Sequence, residues 1–129
     1  MIDHGNTIVL VVEDEVPMAR AMHDRLKAEG FKVSLARDGE EGLEQVAKKE
    51  FDVVLLDLAM PKITGMEMMK KMREQGLKEA PIIIYTNLVP DDEILEGVTR
   101  DKPTYYLSKT EHSLDYVIKM IDKILEGKS

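Results

Sequence analysis

Three largely apolar runs, each ending on or followed by a polar side chain, restrict what this chain can fold into more than any other feature. Thr7–Val12 is apolar and β-branched without alternation, the pattern of a strand covered on both faces. Phe51–Asp57 is a second such run and ends on a carboxylate. Pro81–Thr86, with Ile82-Ile83-Ile84 at its centre, is a third. Strands buried on both faces belong in a parallel sheet, and parallel neighbours need a crossover connection, usually a helix, between them.

The intervening segments supply those helices. Pro17 suits a first helical turn. Val16, Ala19, Met22 and Leu26 then fall on one face, and Gly30 stands as the stop. Lys32–Ala36, with Val33 and Leu35 on the same side, reads as a half-exposed edge strand. Asp38 followed by Glu41 is a variant capping box, opening a helix whose buried face is Leu43, Val46 and Ala47. Beyond Pro61 and Gly65, a third helix carries Met66, Met69 and Met72 at helical spacing, with Gly76 past its end. These methionines read as adaptable core packing rather than a recognition surface. Pro90-Asp91-Asp92-Glu93 starts a fourth helix with acids well placed for the dipole. Gly97 inside it and Arg100-Asp101-Lys102-Pro103 at its end predict a weak, short or irregular helix. Thr104–Leu107 is a short last strand, and the final helix buries Leu114, Val117, Ile118, Ile121 and Leu125. Five strands alternate with five helices, with no linker, repeat or low-complexity segment. That predicts a single α/β domain over residues 1–129, a parallel sheet with helices on both faces.

Composition removes several function classes. The 129 residues are 43% hydrophobic and 33% charged, ordinary for a globular domain. The absence of cysteine excludes disulfides, thiolate zinc sites and thiol catalysis. A net charge of -7 disfavours general binding to nucleic acid or to an anionic membrane. No apolar run approaches the roughly 20 residues of a membrane span. Met1–Asn6 lacks the regions of a signal peptide, so the expected location is cytoplasmic.

In open parallel sheets ligands bind at the carboxyl ends of the strands, where strand order reverses. Here the first strand ends in Glu13-Asp14-Glu15, the third in Asp57 and the fourth in Thr86-Asn87, while Lys109 follows the fifth. Three carboxylates in one cleft repel one another unless a cation relieves them, and hard oxygen ligands at this charge density suit Mg²⁺. Lys109 adds a fixed positive charge and Thr86 a hydroxyl donor. A carboxylate nucleophile, a metal, a cation and a donor are the parts of an in-line phosphoryl transfer. Each residue alone has a plainer explanation: a turn aspartate, a helix-capping acid, a strand-end hydroxyl, a solvated lysine. Their coincidence at strand ends carries the functional reading.

These residues closely resemble the response-regulator receiver family, and the resemblance covers essentially the whole chain. Val11-Val12-Glu13-Asp14-Glu15 resembles its acidic-pair motif. Asp57-Leu58-Ala59-Met60-Pro61 with Gly65 resembles its phosphoacceptor stretch, the most specific match. Thr86, Tyr106 and Lys109 are similar to its residue after strand four, its switch aromatic and its lysine. The resemblance implies a flavodoxin-like three-layer α/β/α fold with a five-stranded parallel sheet in the order 2-1-3-4-5. It implies that Asp57 accepts a phosphoryl group from a phosphohistidine of a sensor histidine kinase or histidine phosphotransfer protein. It also implies Mg²⁺, with Mn²⁺ as an alternative, held by Asp14, Asp57, the Ala59 carbonyl and, through water, Glu13. Lys109 and Thr86 would hold the phosphoryl oxygens, and Thr86 and Tyr106 would act as the switch. A downstream protein would read the face formed by the fourth helix, fifth strand and fifth helix. On this reading the chain is a stand-alone receiver, signalling by protein contact or relay, with no nucleic-acid or membrane partner. It is not an enzyme beyond its own phosphorylation and dephosphorylation.

Several positions depart from the family pattern. Thr110 follows Lys109 where proline is usual, Asn87 stands where a small residue is typical, and Val98–Pro103 replaces a small-residue and glycine pattern. Ala59 and Leu88 flank the expected path of hydrolytic water and cannot position it, so slow self-dephosphorylation is expected. His4, His23 and His112 show no metal spacing and read as surface residues. Two other classes fit less well. A haloacid-dehalogenase-like phosphatase or phosphomutase needs a second Asp where Ala59 stands. A flavodoxin-like FMN carrier needs a phosphate-cradling loop where Glu13-Asp14-Glu15 would repel it.

Overall fold

The structure, a computed structural model, describes residues 4–76 and 80–127. Its strands are β1 (Ile8–Val12), β2 (Lys32–Ala36), β3 (Val53–Leu56), β4 (Ile82–Thr86) and β5 (Tyr105–Ser108). Its helices are α1 (Val16–Ala28), α2 (Gly39–Lys48), α3 (Gly65–Glu74), α4 (Asp92–Asp101) and α5 (Leu114–Glu126), preceded by a 3₁₀ turn at His4–Asn6. All strand pairs are parallel, in the order β2-β1-β3-β4-β5. This is the flavodoxin-like three-layer architecture. Every residue of β3 and β4 is buried, as their unbroken apolar runs require.

Alternate strand residues feed two cores. Val9, Val11, Val53, Leu55, Ile83 and Tyr85 pack with α1 and α5, whose main contributors are Met22, Leu26, Val117, Ile118 and Ile121. Leu10, Val12, Val54, Leu56, Ile82 and Ile84 pack with Met68, Met69 and Met72 of α3 and Ile94 of α4. Met69 and Met72 are therefore core, as their spacing predicts; Met68 joins them, and Met66 is half-buried against the same core.

The structure differs from the sequence reading at several points, each with a local cause. β3 begins at Val53 because Asp52 closes the start of β1: its N–H donates to the Ile8 carbonyl and its carboxylate accepts the Ile8 N–H at 2.8 Å. On α2 the buried face is turned toward Gly39 and Gly42, so Leu43 and Val46 are half-buried and Ala47 is exposed. A Cβ at Gly42 would meet the Met68 sulfur at 2.8 Å, so α2 and α3 approach through that glycine. Asp38 caps α2 by accepting the Glu41 N–H, but Glu41 accepts the Arg37 N–H, one residue beyond the Asp38 N–H that a reciprocal box uses. α4 is a regular helix of 10 residues rather than a short or irregular one. Asp91 caps it through the Ile94 N–H at 2.8 Å, and Gly97 lets α4 lie close to Met66 of α3. No helix among the described residues is long and apolar enough to cross a membrane.

Candidate active site

The connection leaving β1 runs to the α1–α5 side of the sheet and the one leaving β3 to the opposite side, so a crevice opens between the two strand ends. The backbone fixes what projects into it. The Asp57 N–H donates to the Val12 carbonyl at 3.1 Å, and the Glu13 N–H donates to the Ala36 carbonyl at 3.0 Å. Both residues thus extend the sheet by one step and hold their carboxylates at its rim. One carboxylate oxygen from each of Glu13, Asp14 and Asp57 lies within 4.8 Å of the others. Glu13 is 1% exposed, Asp57 5%, and Asp14 half-buried.

Lys109 enters from the other side. Its backbone N–H donates to the Thr86 carbonyl at 2.9 Å, which holds the residue after β5 against the end of β4. Its Nζ lies 2.5 Å from Glu13 Oε1 and 3.2 Å from Asp57 Oδ2. Burial would lower the Lys109 pKa, but the hydrogen bond to Glu13 and the charges of Asp57 and Glu13 outweigh it and raise it. Burial pushes the Glu13 carboxyl up and the Asp57 charge adds to this, against the bond from Lys109. One ammonium thus serves two buried carboxylates, with Asp14 at their edge. The excess of hard, anionic oxygen donors in one place is the chemistry of a divalent-cation site.

Thr86 is fully buried, and its Oγ1 accepts the Leu88 N–H at 3.3 Å. Half-buried Tyr106 donates its hydroxyl to the Leu88 carbonyl at 3.1 Å. The two side chains are therefore tied to one residue of the β4–α4 loop, an anchor that sequence reasoning missed because it is backbone. Ala59, exposed after β3, donates its N–H to Asp57 Oδ1 at 3.3 Å, and Asn87 is exposed. Gly65 is fixed by proximity: a Cβ there would stand 2.3 Å from the Asp57 carbonyl oxygen and 2.7 Å from the Leu58 Cα. No peptide bond among the described residues is cis, so Lys109–Thr110 is trans.

The histidines stand apart from this cluster, but two of them are not simple surface residues. The His4 ring is stacked on Phe31, with Nδ1 2.9 Å from the Glu29 carbonyl and Nε2 2.7 Å from Asp122. Half-buried His112 stacks on Tyr116. Thr64 and Glu67 form a reciprocal capping box on α3 that was readable from their spacing and was overlooked.

Comparison with known proteins agrees with this architecture. Residues 9–122 match the response regulator receiver domain, and the chain belongs to that family. It is 46% identical over 78 residues to the transcriptional regulatory protein DltR of Streptococcus agalactiae, a match spanning 60% of this chain and 34% of that protein. The chain thus accounts for about a third of that relative's length. Among solved structures it is similar to the receiver domain of Francisella response regulator 1452, at 27% identity and a TM-score of 0.85, covering 96% of this chain and 100% of that one. It is also similar to response regulator protein TrrA of Thermotoga maritima, solved in complex with Mg²⁺ and BeF, at 27% identity and a TM-score of 0.78, covering 92% and 98%. The chain is therefore a receiver domain of the two-component type, and receiver domains are signalling domains. Receiver domains bind Mg²⁺ at an acidic site and interact with histidine kinases or phosphotransfer proteins, and the Glu13, Asp14 and Asp57 donor set fits such an ion.

Proposed function

We propose that Asp57 is the phosphoacceptor of this receiver domain, taking a phosphoryl group from a phosphohistidine of a sensor kinase or phosphotransfer protein. The observation that carries this reading is one buried carboxylate, Asp57, held between two further acids within 4.8 Å and the Lys109 ammonium at 3.2 Å. An Asp57 oxygen forms the new P–O bond as the P–N bond of the donor breaks, leaving a mixed acyl phosphate on Asp57 and the donor imidazole released. Asp14, Asp57 and the Ala59 carbonyl would hold Mg²⁺ directly and Glu13 through water. The ion, when bound, neutralises charge on the transferring group. Lys109 leaves its carboxylate partner to meet a phosphoryl oxygen, and the Thr86 hydroxyl exchanges the Leu88 N–H for another.

The same reading gives the consequence. Thr86 and Tyr106 share Leu88 as an anchor, so drawing Thr86 toward the phosphoryl group disturbs the residue that holds the Tyr106 hydroxyl. Tyr106 then turns inward and changes the face of α4, β5 and α5 presented to a protein partner. Residues 1–129 act as one receiver unit that signals by contact or relay. The similarity to the solved TrrA chain, 98% of which is covered, supports the single receiver unit, and the net charge of -7 favours a protein partner. Ala59 offers no side-chain group to orient attacking water, so the phosphorylated form is long-lived.

Incubation with acetyl phosphate and Mg²⁺ tests the assignment. The wild-type chain should gain one phosphoryl group, chelation should prevent it, and Asp57→Asn should abolish it. Persistent Mg²⁺-dependent labelling of Asp57→Asn would remove Asp57 from the role.

A further inference from the structure

The segment that carries Lys109 is fastened in an unexpected way. It lacks the proline usual after this lysine, and the chain turns sharply from Ser108 to His112. The Glu111 and His112 N–H groups both donate to the Ser108 carbonyl, at 3.2 and 2.9 Å. Ser108 Oγ accepts the Thr110 N–H at 3.2 Å and lies 2.8 Å from the Thr110 hydroxyl. The loop closes through a ring: the Ser108 N–H points at His112 Nδ1, 3.3 Å away. A backbone N–H can only donate, so Nδ1 is the acceptor and the ring proton sits on Nε2. The ring is held in turn, stacked on Tyr116 at 4.7 Å, while the His112 carbonyl accepts the buried Tyr85 hydroxyl at 2.6 Å. Tyr85 immediately precedes Thr86, whose carbonyl accepts the Lys109 N–H.

We propose that His112 is a positioning residue for Lys109, its Nδ1 closing the Ser108–His112 turn so that the Lys109 ammonium reaches Glu13 and Asp57. The proposal deepens the phosphoacceptor reading of Asp57 and rests on it. His112 does not touch the carboxylates and acts only through the loop. Ser108 is the residue it grips, the last of β5 and the one before Lys109. A misplacement of the order of an ångström in a charge that must meet a transferring group lowers rates by large factors, so even this single bond has a measurable effect.

The test compares rates of Mg²⁺-dependent labelling by acetyl phosphate in the full chain. His112→Phe keeps a ring to stack on Tyr116 and removes the acceptor; its rate should fall on the order of tenfold. His112→Asn presents a side-chain oxygen near the position of Nδ1, and its rate should stay within about twofold of wild type. In a Lys109→Ala background, adding His112→Phe should slow labelling no further, because a residue acting through Lys109 has nothing left to act through. Equal rates for His112→Phe and wild type, equal loss in His112→Asn and His112→Phe, or multiplying effects in the double variant would each overturn the proposal. So would failure of His112→Phe to fold, since the bond would then hold the fold rather than one loop. An unlabelled wild-type chain would remove the phosphoacceptor reading and this proposal with it. A labelled wild type with an unaffected His112→Phe would remove this proposal alone.

Discussion

Burial decides what the ionisable residues of this chain can do. Glu13 and Lys109 are both nearly inaccessible, and their pairing, with Asp57 as a second partner of Lys109, is what makes the burial tolerable: leaving a buried charge without its partner costs roughly 3–5 kcal/mol. At the opposite end of the molecule His4 shows the same logic with a different result. Both ring nitrogens face acceptors, the Glu29 carbonyl and Asp122, an arrangement that only the imidazolium satisfies in full. Burial would lower its pKa, but those two partners outweigh burial and raise it. A raised folded-state value means that the stabilisation is complete below the ordinary value of 6.5 and is lost as pH rises through the folded value. His4→Ala should therefore cost roughly 1.5–3 kcal/mol in urea unfolding at about pH 6, and distinctly less at about pH 9. An equal cost at both would show that stacking on Phe31, not charge, is what matters. The His4–Asp122 pairing was not legible in the sequence, where 118 residues separate the two; Lys109 was legible as a neighbour of the acidic cluster, but not that its shorter contact is with Glu13.

At the scale of elements, two glycines that look alike in sequence do opposite things. Gly65 opens α3 against the backbone of Asp57 and Leu58, where a Cβ has nowhere to go. Gly97 lies inside α4, where a Cβ would clash with only the terminal carbon of Met66, the far end of a flexible side chain. Gly65→Ala should thus cost about 1–3 kcal/mol or more in unfolding free energy and slow labelling, because the chain at Asp57 must shift. Gly97→Ala should cost less and leave labelling unchanged; equal effects on both measurements would refute the distinction. Gly97 misled the sequence reading for a physical reason. Helix propensity counts it as a weakness, but here it is a point of close packing, and the Asp91 cap restores the helix. The apolar strands were legible because burial on both faces leaves no polar position to obscure them. Their ends were less so, since Asp52 leaves β3 to bond Ile8.

Over the whole molecule, the strand-end residues singled out in the sequence converge because a parallel sheet places all strand termini of one sense on one rim. Glu13, Asp14, Asp57, Thr86 and Lys109 were therefore predictable as a group. The loops that fasten them were not, because Leu88 acts through its backbone and His112 through one ring nitrogen. If the acidic cluster binds Mg²⁺ only when folded, the ion stabilises the entire domain. At about a hundred times its dissociation constant the gain is about 2.7 kcal/mol, seen as a raised Tm. Asp14→Asn should lose most of that gain, and an undiminished rise would place the ion elsewhere. The central claim concerns one atom group, the Asp57 carboxylate, and borohydride reads it directly by reducing an acyl phosphate to an alcohol. After acetyl phosphate and Mg²⁺, reduction and peptide mapping should find homoserine in place of Asp57 and at no other aspartate. Homoserine at a different aspartate, with Asp57 intact, would contradict the account.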